Sequence, residues 1–319
     1  MPSQVMTVTG PLPPSDLGTT DAHSHLWIEP VVGSAPDAPQ LHDEAAIVRE
    51  LEDFRRAGGR SVVDCQPGSC GRNGAALAAL ARATGVHIIA ATGYHRAKYY
   101  APDAPQLRLT AEEAGDYFVG EIRGGLAEAR EDDALIYPGF IKIAAEATVA
   151  SSPIALMEGA AAACLATGYA IEMHTEQGAA IEHFLDFFIQ QGVSPQRLVF
   201  CHVDKRPDLA LHRDLAAAGV VLEYDTFFRP KYQPDKNVWP LIEAMVAAGG
   251  GRQIALATDL ADSAMWRSYG GAPGMVAFVT QVEARLRAMS LPEGVIQGLM
   301  GANIAARLAV PVSLLEGGD

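Results

Sequence analysis

No run in this 319-residue chain approaches the ~18 consecutive apolar residues of a bilayer span. The alanine-rich stretch 159–166 reads instead as a buried helix face. Basic charge is scarce: 24 Lys and Arg stand against 38 Asp and Glu, for a net charge of -14. That excess of acid argues against nucleic acid or an anionic membrane as partner. It does not exclude an anionic small-molecule substrate, because a bound metal pair would set the local field. The four cysteines, Cys65, Cys70, Cys164 and Cys201, form no CxxC pair. Reduced thiols in a cytoplasmic protein are favoured over disulfides. Residues 1–20 lack a basic start followed by an apolar core, so no secretory signal is expected. There is no nucleotide-binding glycine fingerprint, and Gly249, Gly250 and Gly251 read as a turn between helix and strand. No linker divides the chain, so a single domain over 1–319 is expected, with 1–18 leading into the first barrel strand.

What is present is alternation. Strand-like runs fall at 19–26, 61–65, 87–92, 139–143, 169–174, 198–202, 220–224 and 253–258. Helical segments lie between them at 44–57, 75–84, 154–167, 180–191, 208–218 and 238–248. Gly58, Gly59, Gly85, Gly168, Gly192 and Gly219 fall where a helix should end. Eight strands in this order predict an α/β protein, a (β/α)8 TIM barrel, for which roughly 250 residues plus insertions suffice. Two longer loops, 93–109 and 227–237, belong on the face where strand ends converge and substrate pockets form.

Six residues at or near strand ends suggest a binuclear metal site. His23 and His25 are two apart, so a strand aims both the same way. An HxH pair alone equally fits two histidines on a polar strand face. His174 and His202 close apolar runs, where a core histidine with a satisfied partner is the ordinary reading of either one alone. Asp259 closes a third run, and a carboxylate there can ligate and accept a proton. Lys142 sits inside Gly-Phe-Ile-Lys-Ile, and lysine is rarely buried without a partner. Burial would depress its pKa and leave a partly neutral amine. Three fates are open to that amine: a carbamate formed with CO2, a Schiff base, or a lysine snorkelling to the rim. Beside four inward histidines the carbamate is favoured.

The order HxH, Lys, His, His, Asp resembles the phosphotriesterase-related branch of the amidohydrolase superfamily. The likeness extends to Val8-Thr9-Gly10, Leu17-Gly18-Thr19-Thr20-Asp21, Gly71-Arg72-Asn73, Ala91-Thr92-Gly93-Tyr94-His95, His202-Val203-Asp204, Tyr224-Asp225-Thr226, Tyr269-Gly270-Gly271 and Gly301-Ala302-Asn303. The resemblance implies an amidohydrolase-type barrel with two divalent ions, zinc first, with manganese, cobalt or iron as alternatives. It implies that His23, His25 and Asp259 hold the buried ion and His174 and His202 the exposed one. Carbamylated Lys142 would bridge them. A bridging hydroxide would attack a carbonyl or phosphoryl group, with Asp259 moving its proton. A homodimer is a further implication.

Ser24 stands where the family commonly has Glu and should point away from the metals. Thr226 replaces the histidine of the organophosphate hydrolases, and Lys205 occupies a relay position. The segment 228–232 resembles the seventh-strand loop of a sugar-lactonase branch, where Arg229 and Lys231 would bind a carboxylate or phosphate. Two solvated loop cations would read the same way. Phosphate-binding members carry an arginine soon after the last aspartate; here Asp262 and Met265 lie there, and the nearest cation is Arg267. A lactone without phosphate is therefore expected, with phosphoester or amide hydrolysis, or a non-catalytic binding barrel, as alternatives. Tyr94, His95 and Trp266 are further candidate pocket residues. Asp204 and Asp225 are expected to orient ligands or loops. Glu172 is read as a buried structural carboxylate without a role, and His42, His87, His183 and His212 as non-ligands.

Overall fold

A computed structural model describes residues 3–129 and 135–315; the remainder of the expected 1–319 domain lies outside the described residues. Eight parallel strands follow one another around a barrel: β3 (Thr20–Ser24), β4 (Ser61–Asp64), β5 (His87–Gly93), β6 (Phe140–Ala144), β7 (Ile171–His174), β8 (Leu198–Phe200), β9 (Val221–Tyr224) and β10 (Ile254–Leu256). All eight fall within the sequence-predicted runs to within a residue or two. Between β10 and β3 the seam is closed by side chain and backbone. Asp21 Oδ1 accepts from Thr258 N at 3.0 Å, and Asp259 N donates to His23 O at 2.8 Å.

The predicted lead-in is a structure of its own. β1 (Ser3–Thr7) and β2 (Gly10–Leu12) form an antiparallel hairpin, and β1 also pairs with β11 (Val310–Pro311). Val5 and Leu17 join Ala22, Val63, Ile89 and Phe140 in one apolar cluster fed by the strands. This cluster is the barrel's interior packing, as expected when a barrel is a filled core and not a pore.

The helices are α1 (Glu44–Ala57), α2 (Gly74–Thr84), α3 (Ala111–Gly124), α4 (Ile154–Thr167), α5 (Ile181–Gln190), α6 (Leu209–Ala218) and α7 (Val238–Ala247). Shorter segments follow at α8 (Ala284–Ala288), α9 (Glu293–Gln297), α10 (Asn303–Leu308) and α11 (Val312–Leu315). Asp43, Asn73 and Asp208 accept from first-turn amides of α1, α2 and α6 and so cap them. Along α1, Ile47, Leu51 and Phe54 are buried at helical spacing, each contributing roughly 1.5–3 kcal/mol by removal from water. The alanine-rich run does lie in a mostly buried helix, α4, which approaches α3 closely. A Cβ on Gly159 would meet Ala114 Cβ at 2.6 Å, so only small residues allow this contact. Among the described residues no helix is long and apolar enough to cross a membrane.

Candidate metal centre and substrate pocket

His23 is the penultimate residue of β3 and His25 follows the strand on the same face, both nearly fully buried. His23 Nδ1 lies 2.8 Å from Glu223 Oε1, and His25 Nδ1 lies 2.8 Å from Gln66 Oε1. His202 Nδ1 is bonded to Asp225 Oδ2, and His174 Nε2 lies 2.9 Å from Glu176 Oε1. These four partners are oxygen acceptors, so each fixes the proton on the nitrogen it touches. The other nitrogen keeps its lone pair: Nε2 on His23, His25 and His202, and Nδ1 on His174. The rings crowd together, with centroids 4.9 Å apart for His23 and His202 and 4.7 Å for His174 and His202.

Asp259 completes the ring. Its Oδ1 lies 3.8 Å from His23 Nε2 and 3.9 Å from His25 Nε2. Both Asp259 and His202 have left-handed backbones, with φ of 49° and 64°. Such conformations cost non-glycine residues on the order of 1–3 kcal/mol and concentrate at functional sites.

Lys142, on β6, is fully buried behind the histidines. Strand register sets it beside Gly93 on β5 and Glu172 on β7. Its Nζ lies 3.1 Å from Glu172 Oε1, 3.4 Å from Cys201 Sγ and 3.5 Å from His23 Nε2. Cys65 Sγ also donates to Glu172 Oε1, at 2.7 Å. Gly93 has φ 115°, and a Cβ there would sit 1.8 Å from Lys142 O. Glycine is therefore required for β5 to pass the lysine.

Burial pushes the imidazole pKa values of His23, His174 and His202 down, and that of His25 down to about 4. All four are neutral near pH 7, the form in which imidazole ligates. Lys142 departs from expectation. Burial pulls its pKa down, but Cys201, Cys65, Glu172 and Glu223 outweigh it and hold the amine above its ordinary value. Glu172, 3.1 Å from Nζ, belongs to a buried acidic layer beneath the site that the sequence reading did not foresee. That layer includes Glu172 and Glu223, each with a buried Oε2 that has no hydrogen-bond partner.

The donor set suits divalent cations. Ligand atoms of His23, His202 and Asp259 lie within 4.8 Å of one another, as do those of His23, Glu172, Cys201 and Glu223. Convergent neutral nitrogens and a carboxylate, on strained backbone, match the N/O preference of zinc and its neighbours.

The site opens into a cavity of about 150 Å3 floored by His23, His25, His174, His202 and Asp259. His95 lines it, but the other candidate pocket residues lie elsewhere. Tyr94 and Trp266 are corrected to core residues, 1% and 0% exposed. Trp266 is held inward by its Nε1 donating to Leu260 O at 3.0 Å. Lys231 is exposed beside the Tyr232 ring. Arg229 is bound to Asp259 through Nη2, at 2.8 Å to Oδ2 and 2.7 Å to the backbone O. His212 is satisfied away from the site, by Tyr224 OH and Arg206 O. Ser24 is buried, with its hydroxyl unpartnered. Asp204 accepts from the amides of Asp225 and Thr226 and so holds the end of β9.

Sequence reasoning missed Gln66, Glu176 and Glu223, which fix three of the four histidines. The available signal was strand periodicity, which puts Glu223 on the face of Asp225 and Glu172 on that of His174. It also missed the loop after β3, which supplies much of the cavity wall.

The profile of the phosphotriesterase family matches residues 3–304. The chain belongs to the phosphotriesterase family. It is a hydrolase of that group, whose members depend on metal. An uncharacterized protein of Mycoplasma pneumoniae is 31% identical over 248 residues, covering 72% of this chain and 69% of the relative. A phospho-furanose lactonase of Mycoplasmopsis synoviae is 28% identical over 285 residues, covering 85% and 80%. The crystal structure of a lactonase from Listeria monocytogenes superposes with a TM-score of 0.86 at 22% identity, covering 95% and 98%, and so shares the fold.

Proposed function

We propose that this hydrolase opens a small lactone using two divalent ions, zinc first, held by His23, His25, His174, His202, Asp259 and a carbamate on Lys142. The observation that carries the reading is the convergence of the free nitrogens of His23 and His25 on Asp259 Oδ1, with His202 offering a ligand atom within 4.8 Å of those of His23 and Asp259. When bound there, divalent ions lower the pKa of water and polarise the carbonyl under attack.

The chain's own groups do the rest. Asp259 Oδ1 faces the histidines and is placed to accept the proton of the attacking water, then return it to the ring oxygen as the ester bond breaks. Its Oδ2 stays on Arg229, which holds the carboxylate in one orientation. Glu223, Gln66, Glu176 and Asp225 keep the imidazoles in the ligating tautomers. The cavity suits a small ring better than a phosphotriester, whose three substituents need separate room. The lactonase name of a relative at 28% identity supports the same choice.

Proton release from a lactone panel, with zinc-loaded protein in bicarbonate and chelated protein as control, tests the reading. Metal-dependent lactone turnover is expected. Phosphotriester turnover exceeding it by orders of magnitude would overturn the lactone assignment. Asp259→Asn should fold normally and lose about 100-fold or more in kcat.

A further inference from the structure

The cavity wall beyond the histidines comes largely from one stretch of chain, residues 28–40 after β3. Ile28, Val31, Ala38 and Pro39 give it apolar surface, and Glu29 brings a carboxylate. Among the described residues, no lysine or arginine lines the cavity.

The nearby cations are engaged elsewhere. Arg229 is spent on Asp259, and Arg96 pairs with Glu146 at 3.0 Å and Glu176 at 2.6 Å. Lys205 lies 3.6 Å from Asp225 Oδ1, and Lys98, which does not line the cavity, lies 3.8 Å from Asp37 Oδ2.

Glu29 is also fixed in place. Its Oε1 accepts from Asn73 Nδ2 at 2.7 Å and Trp27 Nε1 at 3.3 Å, and its N donates to Gly71 O at 2.8 Å. Ile28 and Leu41 exchange backbone hydrogen bonds, and Ala35 N donates to Lys98 O. The wall is thus preformed. A phosphate seated against it would meet a held carboxylate and no counter-charge, a repulsive and poorly solvated arrangement. Bound divalent ions attract an anion to the reacting end, not to this wall.

We propose that residues 28–40 determine specificity, and that they select an uncharged lactone with a short apolar ring substituent and reject a phosphorylated one. This rests on the lactone reading above and separates the chain from its relatives named phospho-furanose lactonase.

The test uses zinc-loaded full-length protein and lactones of one ring size. The substituents are hydrogen, methyl to hexyl, hydroxymethyl and phosphomethyl. In parallel, calorimetry measures binding of the corresponding ring-opened hydroxy acids. About fourfold in kcat/KM is expected for each of the first methylenes buried, then a plateau as the cavity fills. The phosphomethyl lactone should trail the ethyl one by at least tenfold. Val31→Asp should flatten the alkyl series, and Ala38→Lys should narrow the gap to the phosphomethyl lactone. A phosphomethyl preference in the wild type, or an alkyl series that neither variant alters, would overturn the proposal while leaving lactone hydrolysis standing. If no lactone turns over but hydroxy-acid affinity still rises with alkyl length, the wall's selectivity is supported and the lactone reading falls. Affinity indifferent to alkyl length in that case would overturn both.

Discussion

Arg229 grips Asp259 twice, through a carboxylate oxygen and through the backbone carbonyl of the same residue. Burial raises the Asp259 pKa, but Arg229 and then His202 lower it further, so the net shift is downward. The carboxylate therefore stays ionised into acid. Removing the guanidinium removes the largest lowering influence, and the pKa rises. Arg229→Leu should move the acid limb of the kcat/KM profile up by about one pH unit or more. The loss should be larger at pH 6 than at pH 8. A parallel loss at every pH would assign Arg229 a purely structural part.

Lys142 and Glu172 stand side by side in register on adjacent strands. Lys142→Ala should lose most bound metal and activity, with partial recovery when a short carboxylic acid is supplied. Full metal content in that variant, read by elemental analysis, would eliminate the carbamate bridge. Glu172→Gln removes one of the charges that push the amine pKa up. It should therefore need less bicarbonate than the wild type for reconstitution at the same pH.

Asp225 holds the Nδ1 side of His202. Asp225→Ala frees the ring to rotate and change tautomer. Zinc affinity should fall about 10–100-fold, as is typical when a ligand's outer partner is lost. Competition against a chromophoric chelator measures this, and an unchanged affinity would show that the packing of His202 against the His23 and His174 rings suffices to hold it.

Arg72 is buried against Glu121, with Nη1 at 3.0 Å from Oε2, and it reaches Glu128 at 2.7 Å. Arg72→Ala would leave Glu121 charged and unpaired in the interior. Unfolding in urea should show a loss of about 3–5 kcal/mol. A much smaller loss would mean that Glu121 takes up a proton or water enters.

The barrel was legible because its strands are near-continuous apolar runs and its helices end at glycine. Glu44–Ala57 and Ile154–Thr167 match their predicted bounds. Helix Ala111–Gly124 was not seen, since Gly115, Gly120 and Gly124 dilute its periodicity. Its signal was the capping box of Thr110 and Glu113. The hairpin at 3–12 is short, its second strand opens on Gly10-Pro11, and its pairing with 310–311 is a contact no local pattern encodes. The metal-site candidates were legible because histidines and a lysine at strand ends are chemically conspicuous. Arg229 was foreseen as a substrate cation because sequence shows its charge but not the carboxylate that neutralises it. Tyr94 and Trp266 were misplaced because an aromatic side chain after a strand reads alike whether it turns to the cavity or the core.

The histidines and Asp259 are scattered over four strands and can be altered only one at a time. The wall at 28–40 is a single unbroken segment, framed by the Ile28–Leu41 bridge. It is therefore an exchangeable cassette: one recombination event, natural or engineered, could replace what the molecule selects while the reactive centre is inherited intact.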